Sequence, residues 1–414
     1  MENHRARQQR KTEMVRYWAA IVACLLMGAP LLPAAPETLS APNSAIPSSY
    51  FGLHMHHLNF PAPTTPWPNM PIPEWRMWDA AVSWPQLEPV KGQWHFERLD
   101  LYVSLAQQHG THMLLPLAYS PNWATGRPEV TIPPKNMEDW RNYVRTVVSR
   151  YKGRIQAYEI WNEPNLGDFW LGTVDQMVTL TKEATAIIRS VDPQAIIVSA
   201  SPTAEWGIPW FVEFVKKGGV QYADVVGYHF YAYPPAAPPE AMVAVIRRVQ
   251  QIMAENGLGN KPLWNTETGW IRPAVMESDE MGAAFLARSY IVAWAAGVQR
   301  FYWYAWDNKL MAIVTYKEDE HKVTPAGNAY QVIQQWLVGA TMRSCQSGAD
   351  HTWTCELNRS GKKEWIVWNP DGNRKFDVPG SWRVKTATPL LQEGGAFTGS
   401  SIDIGPLPLL LIGR

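Results

Sequence analysis

With 414 residues, 46% of them hydrophobic and 18% charged, the chain is long enough to bury one large core and a smaller one beside it, which excludes disorder as its dominant state. Its 37 Lys and Arg balance its 37 Asp and Glu, so no overall field draws it to nucleic acid or to an acidic surface. A neutral or weakly charged ligand fits that balance.

Residues 1–35 read as a targeting segment. Arg5, Arg7, Arg10, Lys11 and Arg16 precede the uncharged apolar run Trp18–Ala29, which is short for a membrane span and of the right size for a signal-peptide core. An N-terminal membrane anchor is the alternative, because no Ala-x-Ala triplet marks a cleavage point. Either way the expectation is export to the periplasm or beyond, with a membrane tether if the segment is kept. Residues 36–49, rich in Pro and Ser, read as a linker or as an edge strand of a later sheet.

From 50 to 340 a short apolar or aromatic run, a polar turn and a helical stretch recur. The runs Phe51–His54, Trp75–Trp78, His112–Tyr119, Gln156–Trp161, Ile196–Ser199, Val225–Phe230, Pro262–Thr266 and Phe301–Ala305 read as strands. Helical spacing is clearest over Met137–Tyr151, Val174–Ser190, Ala241–Glu255, Glu280–Ala296 and Ala326–Leu337, where apolar residues recur at three and four. Strand and helix alternating through eight units predict a (β/α)8 TIM barrel. A doubly wound open sheet is the competing fold, but no Gly-rich phosphate loop follows the first strand. Residues 341–414 lose helical periodicity and read as a small C-terminal β-sandwich, with Thr352–Leu357, Glu364–Trp368, Phe376, Trp382–Lys385 and Pro408–Ile412 as strands. Cys345 and Cys355, close in sequence in an exported chain, read as a disulfide across a hairpin, with two free buried thiols as the alternative.

Barrel enzymes carry their chemistry at the carboxyl ends of the strands. The fourth strand ends Trp161-Asn162-Glu163-Pro164 and the seventh Asn265-Thr266-Glu267-Thr268-Gly269-Trp270. Glu163 and Glu267 are three βα units apart at about 35 residues a unit, so both face one cleft. Paired carboxylates in one cleft are what glycosidic cleavage needs: one protonates the leaving oxygen, the other attacks the anomeric carbon or activates water. A structural ion pair at the barrel mouth is the alternative for either Glu alone. The 22 Trp and 16 Tyr agree with a sugar cleft, because the C–H face of a pyranose stacks on an aromatic plane.

On these motifs the stretch 50–340 resembles clan A glycoside hydrolases, and within them most looks like glycoside hydrolase family 39 and related exopolysaccharide-processing enzymes. Trp161–Pro164 is similar to the clan's acid/base strand, Thr266–Trp270 to its nucleophile strand, Tyr228–Tyr231 to its sixth strand, and Tyr302–Asp307 to its eighth. The resemblance implies a retaining hydrolase of a poly- or oligosaccharide, with Glu163 as general acid/base, Glu267 as nucleophile and no cofactor. It further implies that Asn162 binds the sugar 2-hydroxyl and that Tyr231 and Arg76 hold Glu267 ionised. His229 would line the cleft and Trp303 form the sugar platform, or Trp306 if the strand register differs by one. The alternatives are an Arg76 paired with Asp79, a core histidine at 229 and a packing tryptophan at 303.

The third strand departs from the resemblance: it ends Tyr119-Ser120-Pro121-Asn122-Trp123, without the histidine that several clan members carry there, which leaves sugar preference open. His54, His56 and His57 invite a metal site, yet no carboxylate or further His follows at a zinc spacing, so no metal is expected. A family 5-like endo-mannanase or glucanase would share fold and catalytic residues. A non-catalytic carbohydrate-binding barrel is the reading from another class, and retention of both glutamates in matching contexts argues against it.

Overall fold

The computed structural model describes residues 36–58, 65–232, 237–271 and 276–413; residues 1–35, expected to be a targeting segment, lie outside them. Eight parallel strands form the main sheet: β1 (Phe51–His54), β2 (Glu74–Arg76), β3 (His112–Leu117), β4 (Ala157–Ile160), β5 (Ile196–Val198), β6 (Val226–Tyr228), β7 (Leu263–Thr268) and β8 (Arg300–Trp303). Each pairs with its sequence neighbour, and β8 returns to β1. The ring is completed between β5 and β6 by the bridges Val198–Val225 and Thr203–His229. The fold is therefore a nearly closed TIM barrel, with the strands within one or two residues of the sequence expectation.

Helices α1 (Glu97–His109), α2 (Met137–Tyr151), α3 (Val174–Val191), α4 (Ile208–Lys216), α5 (Met242–Glu255), α6 (Asp279–Ala295) and α7 (Pro325–Leu337) fill the outer layer. Their starts carry local signals. Asn136 accepts the Glu138 N–H ahead of α2, and Thr173 with Gln176 forms a capping box on α3. Between β1 and β2 no helix occurs among the described residues, in a stretch where Pro61, Pro63, Pro66, Pro68, Pro71 and Pro73 remove the donors that a helix needs. No described helix is long and apolar enough to cross a membrane.

Period-two alternation sorts the strand side chains. Leu114, Ala157, Val198, Trp264 and Tyr302 meet inside the barrel, whereas Met113, Leu115, Tyr158, Phe301 and Trp303 point outward into the cluster shared with the helices. One step nearer the carboxyl ends, the same inward parity brings His54, Arg76, Glu159 and Thr266 onto the barrel axis, all buried. The barrel is thus apolar in its middle layer and polar under its mouth, with the buried Glu74 of β2 accepting from Arg300 and Tyr302 at its floor.

Residues beyond 340 supply six strands of a seven-stranded antiparallel sheet, which is faced by the two-stranded pair Arg374–Asp377 and Ser401–Ile404. Thr341–Ser347 and Trp353–Arg359 carry the two cysteines directly opposite each other, and the disulfide between Cys345 and Cys355 is formed. From Glu364 onward, Lys362–Trp368 is buried on both faces: Trp365 and Val367 point to the small pair, Ile366 and Trp368 to the barrel side. Trp368 Nε1 donates to Glu240 Oε1 at 2.7 Å, and Glu240 accepts two bonds from Arg288 of α6. The stretch Trp382–Lys385, expected as a strand, instead begins on the last residue of the 3-10 turn Gly380–Trp382 and continues through Arg383 at φ 47° without strand pairing. At the other end of the chain, Thr38–Leu39 pairs antiparallel with Gln346 and Cys345, so the first and last described strands share one sheet.

Candidate active site

Glu163 sits just past β4, where the backbone leaves extended geometry: Trp161 and Glu163 have φ of 75° and 43°. Left-handed non-glycine residues are costly and persist where surrounding structure fixes them. Here the Glu163 N–H donates to the Ser201 carbonyl at 2.9 Å, and Asn162 bridges to Ser201. Glu267 arrives by another device. Against β8, Asn265 pairs with Phe301 but Thr268 pairs with Trp303, so β7 carries one extra residue. Such a bulge re-aims a side chain, and it lets Glu267 join the inward group although Thr266 already points there.

Arg76 organises what lies beneath. Its Nε donates to Glu159 at 2.6 Å, its Nη1 to Glu267 at 2.8 Å and its Nη2 to Asn162 Oδ1 at 2.7 Å. Asp79 is not its partner; Asp79 accepts from the Tyr304 hydroxyl at 2.7 Å. Tyr231 donates to Glu267 Oε1 at 2.8 Å. His229 Nδ1 lies 2.9 Å from Glu163 Oε1 and 3.9 Å from Glu267 Oε1. One oxygen of each glutamate and a ring nitrogen of His229 all fall within 4.8 Å of one another, which places the two carboxylates in direct electrostatic reach.

Burial raises both glutamates. Glu163 is pushed up to about 7 by loss of water, against a Thr203 hydrogen bond and the Arg76 charge that oppose the rise. Glu267 is raised by burial and by the neighbouring Glu163, opposed by His229, Arg76 and the Tyr231 hydroxyl. Two buried carboxyls this close titrate as a pair, and the guanidinium and hydroxyl that reach Glu267 directly favour it as the member that ionises first. Burial also lowers His229 to about 4, so its ring is neutral at neutral pH. Asn162 Nδ2 and His229 Nε2 are buried polar atoms with no protein partner. With Asn162 Oδ1 held by Arg76, its amide N–H groups are left for a ligand hydroxyl.

Six of the eight residues named from the sequence converge here: Glu163, Glu267, Asn162, Arg76, His229 and Tyr231. The two tryptophans do not. Trp303 has no exposed surface, because its parity on β8 turns it outward against Phe285 of α6. Trp306 is 1% exposed and stacked on Tyr316, rings 4.8 Å apart. Neither offers a face to a sugar, so the platform falls to other rings. Glu159 was not anticipated, although a glutamate inside an otherwise apolar strand is a visible signal. It accepts from Thr266 Oγ1 at 2.8 Å and from Ser201 Oγ and balances the Arg76 charge. The histidine run after β1 is a clasp. Asp307 accepts from the His56 and His57 backbone N–H groups and the Thr65 hydroxyl, and meets His56 Nδ1. His57 Nδ1 lies 2.6 Å from Glu318.

Residues 78–308 match the profile of glycosyl hydrolases family 39, a span that includes both glutamates. A β-xylosidase from Caldicellulosiruptor saccharolyticus is 30% identical over 33% of this chain and 31% of its own length. A β-xylosidase from Geobacillus stearothermophilus is 28% identical over 38% and 36%. The matched stretch thus spans about a third of these curated relatives. Among solved structures, a family 39 glycoside hydrolase from Bacteroides cellulosilyticus superposes with a TM-score of 0.73 at 18% identity, over 89% of this chain and 81% of that one, which supports the fold.

Proposed function

Since this chain belongs to glycosyl hydrolases family 39, we propose that it hydrolyses O-glycosidic bonds of an oligo- or polysaccharide with retention of configuration, Glu267 attacking and Glu163 supplying and then removing the proton. The observation that carries this reading is the closeness of the two carboxylates, within 4.8 Å oxygen to oxygen. Retaining enzymes hold theirs about 5 to 5.5 Å apart, while inverting enzymes leave about 6.5 to 9.5 Å for a water molecule. In the first step Glu267 forms a bond to the anomeric carbon as Glu163 protonates the departing oxygen. In the second, Glu163 takes a proton from water, which displaces Glu267. Arg76 and Tyr231 keep Glu267 ionised and aligned, and Asn162 donates to the sugar 2-hydroxyl, a bond that strengthens in the transition state.

The names of the curated relatives make β-xylosides the first substrates to test, with bacterial exopolysaccharides beside them. Export is part of the same proposal: it rests on the basic and apolar pattern of residues 1–35 and on the Cys345–Cys355 bridge, which suits an oxidising compartment.

The deciding experiment uses Glu163→Ala. On substrates with poor leaving groups its rate should fall by about 10²- to 10⁴-fold, the usual worth of a general acid. On dinitrophenyl glycosides the first step should survive and the second stall, so that added azide restores turnover and yields a product of unchanged anomeric configuration. An inverted azide product removes Glu267 from the nucleophile's role. No rescue in a folded, sugar-binding variant removes Glu163 from the acid's role.

A further inference from the structure

With both tryptophans of the β8 region buried, the cleft reads its sugar through other side chains. The end of the third strand, where the sequence departs from the resemblance, supplies one. Tyr119 stands two residues past β3 with φ 65°, a left-handed conformation that is unusual for a bulky residue and persists where its surroundings impose it. Its ring lies 5.3 Å from that of Trp78 and 6.2 Å from that of Trp161, and Trp78 in turn lies 5.8 Å from the Arg76 guanidinium. The side chain is half-buried, and its hydroxyl bonds no described residue. Burial, with the charges of Asp79, Glu163, Asp168 and Glu267, holds its proton above the ordinary tyrosine range. Tyr119 therefore offers a neutral hydroxyl beside the carboxylate pair itself, able both to donate and to accept.

Asp79 supplies the second contact. It lies three residues past β2, exposed and again left-handed at φ 55°. The Tyr304 hydroxyl, which accepts from Asn308 Nδ2 at 2.6 Å, donates to Asp79 Oδ2 at 2.7 Å; Oδ1 bonds no described residue. The Asp79 charge reaches Glu163 as well as Tyr304, so this carboxylate shares the mouth with the reacting pair. No described cation pairs with Asp79 or with the exposed Asp168, and the Arg76 nitrogens are committed to Glu159, Glu267 and Asn162. The mouth thus carries negative charge beyond what the reaction uses. A carboxylate accepts hydrogen bonds and donates none. It suits sugar hydroxyls and repels a second carboxylate, the more strongly where water is scarce.

We infer that Asp79 and Tyr119 determine which sugar this cleft accepts: their free oxygens bond the hydroxyls of an uncharged sugar, and the Asp79 carboxylate, with Asp168 beside it, excludes a sugar that carries a carboxylate, such as a hexuronic acid. This deepens the glycosidase reading above and rests on it. Tyr119 contributes affinity for the uncharged sugar, and Asp79 contributes the discrimination by charge.

The test compares wild type, Tyr119→Phe and Asp79→Asn on nitrophenyl β-xyloside, β-glucoside and β-galactoside and on the β-glucuronide and β-galacturonide, which add a carboxylate at C6. Asp79→Ser stands in if the Asn variant does not fold. Wild type should favour an uncharged sugar over both uronides. Asp79→Asn should narrow that ratio of kcat/KM roughly tenfold, as expected when a close like charge is removed. Tyr119→Phe should raise KM for the uncharged sugar roughly fivefold, the usual worth of one hydrogen bond, and leave the ratio unchanged. A uronide cleaved as well as its uncharged counterpart, a ratio that the Asp79 variants do not move, or an unchanged KM in Tyr119→Phe overturns the inference. If wild type cleaves none of the five, the glycosidase reading for these sugars fails, and calorimetric titration with xylotetraose, cellotetraose and tetragalacturonate judges the pair alone. Binding of an uncharged tetraose that weakens in Tyr119→Phe, with no binding of tetragalacturonate, then supports it. No binding of either uncharged tetraose, equal binding of tetragalacturonate, or an affinity unchanged in Tyr119→Phe overturns it.

Discussion

Arg76 aims three nitrogens at three side chains, two from the end of β4 and one from β7, and no lysine could replace that planar fork. Its role was visible in the sequence only through the resemblance around Trp75–Trp78, since nothing local tells an inward arginine from one at a strand end. Glu159 carried a better signal. A charge inside a buried strand needs a partner, and the parity it shares with Ala157 placed it on the barrel axis. The glutamate pair sets a pH dependence at this scale. In the proposed mechanism Glu163 must be protonated to act, and burial holds its proton up to about pH 7. Turnover of substrates with poor leaving groups should therefore decline as pH rises through about 7. It should also decline on the acid side above the ordinary carboxylate range, where Glu267, itself raised, takes up a proton. Dinitrophenyl glycosides should show a weaker alkaline limb, because their first step needs no acid. A pH–rate profile of kcat/KM checks both limbs, and an alkaline limb that is equally steep for both substrate types would sink the assignment of Glu163. Stability follows the same sign. The folded chain keeps this proton where the unfolded chain has released it, so the group's stabilisation is full below about 4.5 and is lost as pH rises through about 7.

At the scale of elements, alternation was readable wherever strands run straight and failed where they bend. The β-strands were legible because each is a short apolar run between turns. The β7 bulge and the left-handed residues after β4 were not, since both depend on the neighbouring strand rather than on local preference. Trp303 shares its parity with Phe301, so alternation along β8 turns it outward, whereas Trp306 lies past β8 and its packing on Tyr316 has no local signal. The hairpin of Thr341–Ser347 and Trp353–Arg359 was partly legible. Its cysteines announced it, although the first of its strands was not marked out, and their direct opposition lets one bond pin the register. Closing a loop of ten residues' separation should stabilise the folded state by about 2 to 3 kcal/mol. The double variant Cys345→Ala, Cys355→Ala should accordingly melt several degrees lower while keeping its kcat/KM. An unchanged melting temperature by circular dichroism would mean that the bridge constrains nothing.

Across the whole molecule, the sequence suggested a barrel and a separate sandwich, and one continuous apolar cluster runs between them. Met342, Trp353, Ile366, Trp368 and Leu410 belong to the same cluster as the barrel helices, and Trp368 bonds to the Glu240–Arg288 pair. Burial shared in this way couples unfolding. Scanning calorimetry of the full chain should show one transition, and two well-separated endotherms would contradict the shared core. The sequence left open whether residues 36–49 are a linker or an edge strand, and residues 38–39 take the second course, returning to the far end of the fold. That return has a mechanical corollary. Because the first and last described strands lie in one sheet, tension applied at residues 37 and 413 would be borne by the sheet and by the contacts of Arg247 on α5 with Glu37 and Thr38, and the two-residue ladder of Thr38 and Leu39 would peel away first, leaving the mouth of the barrel unloaded.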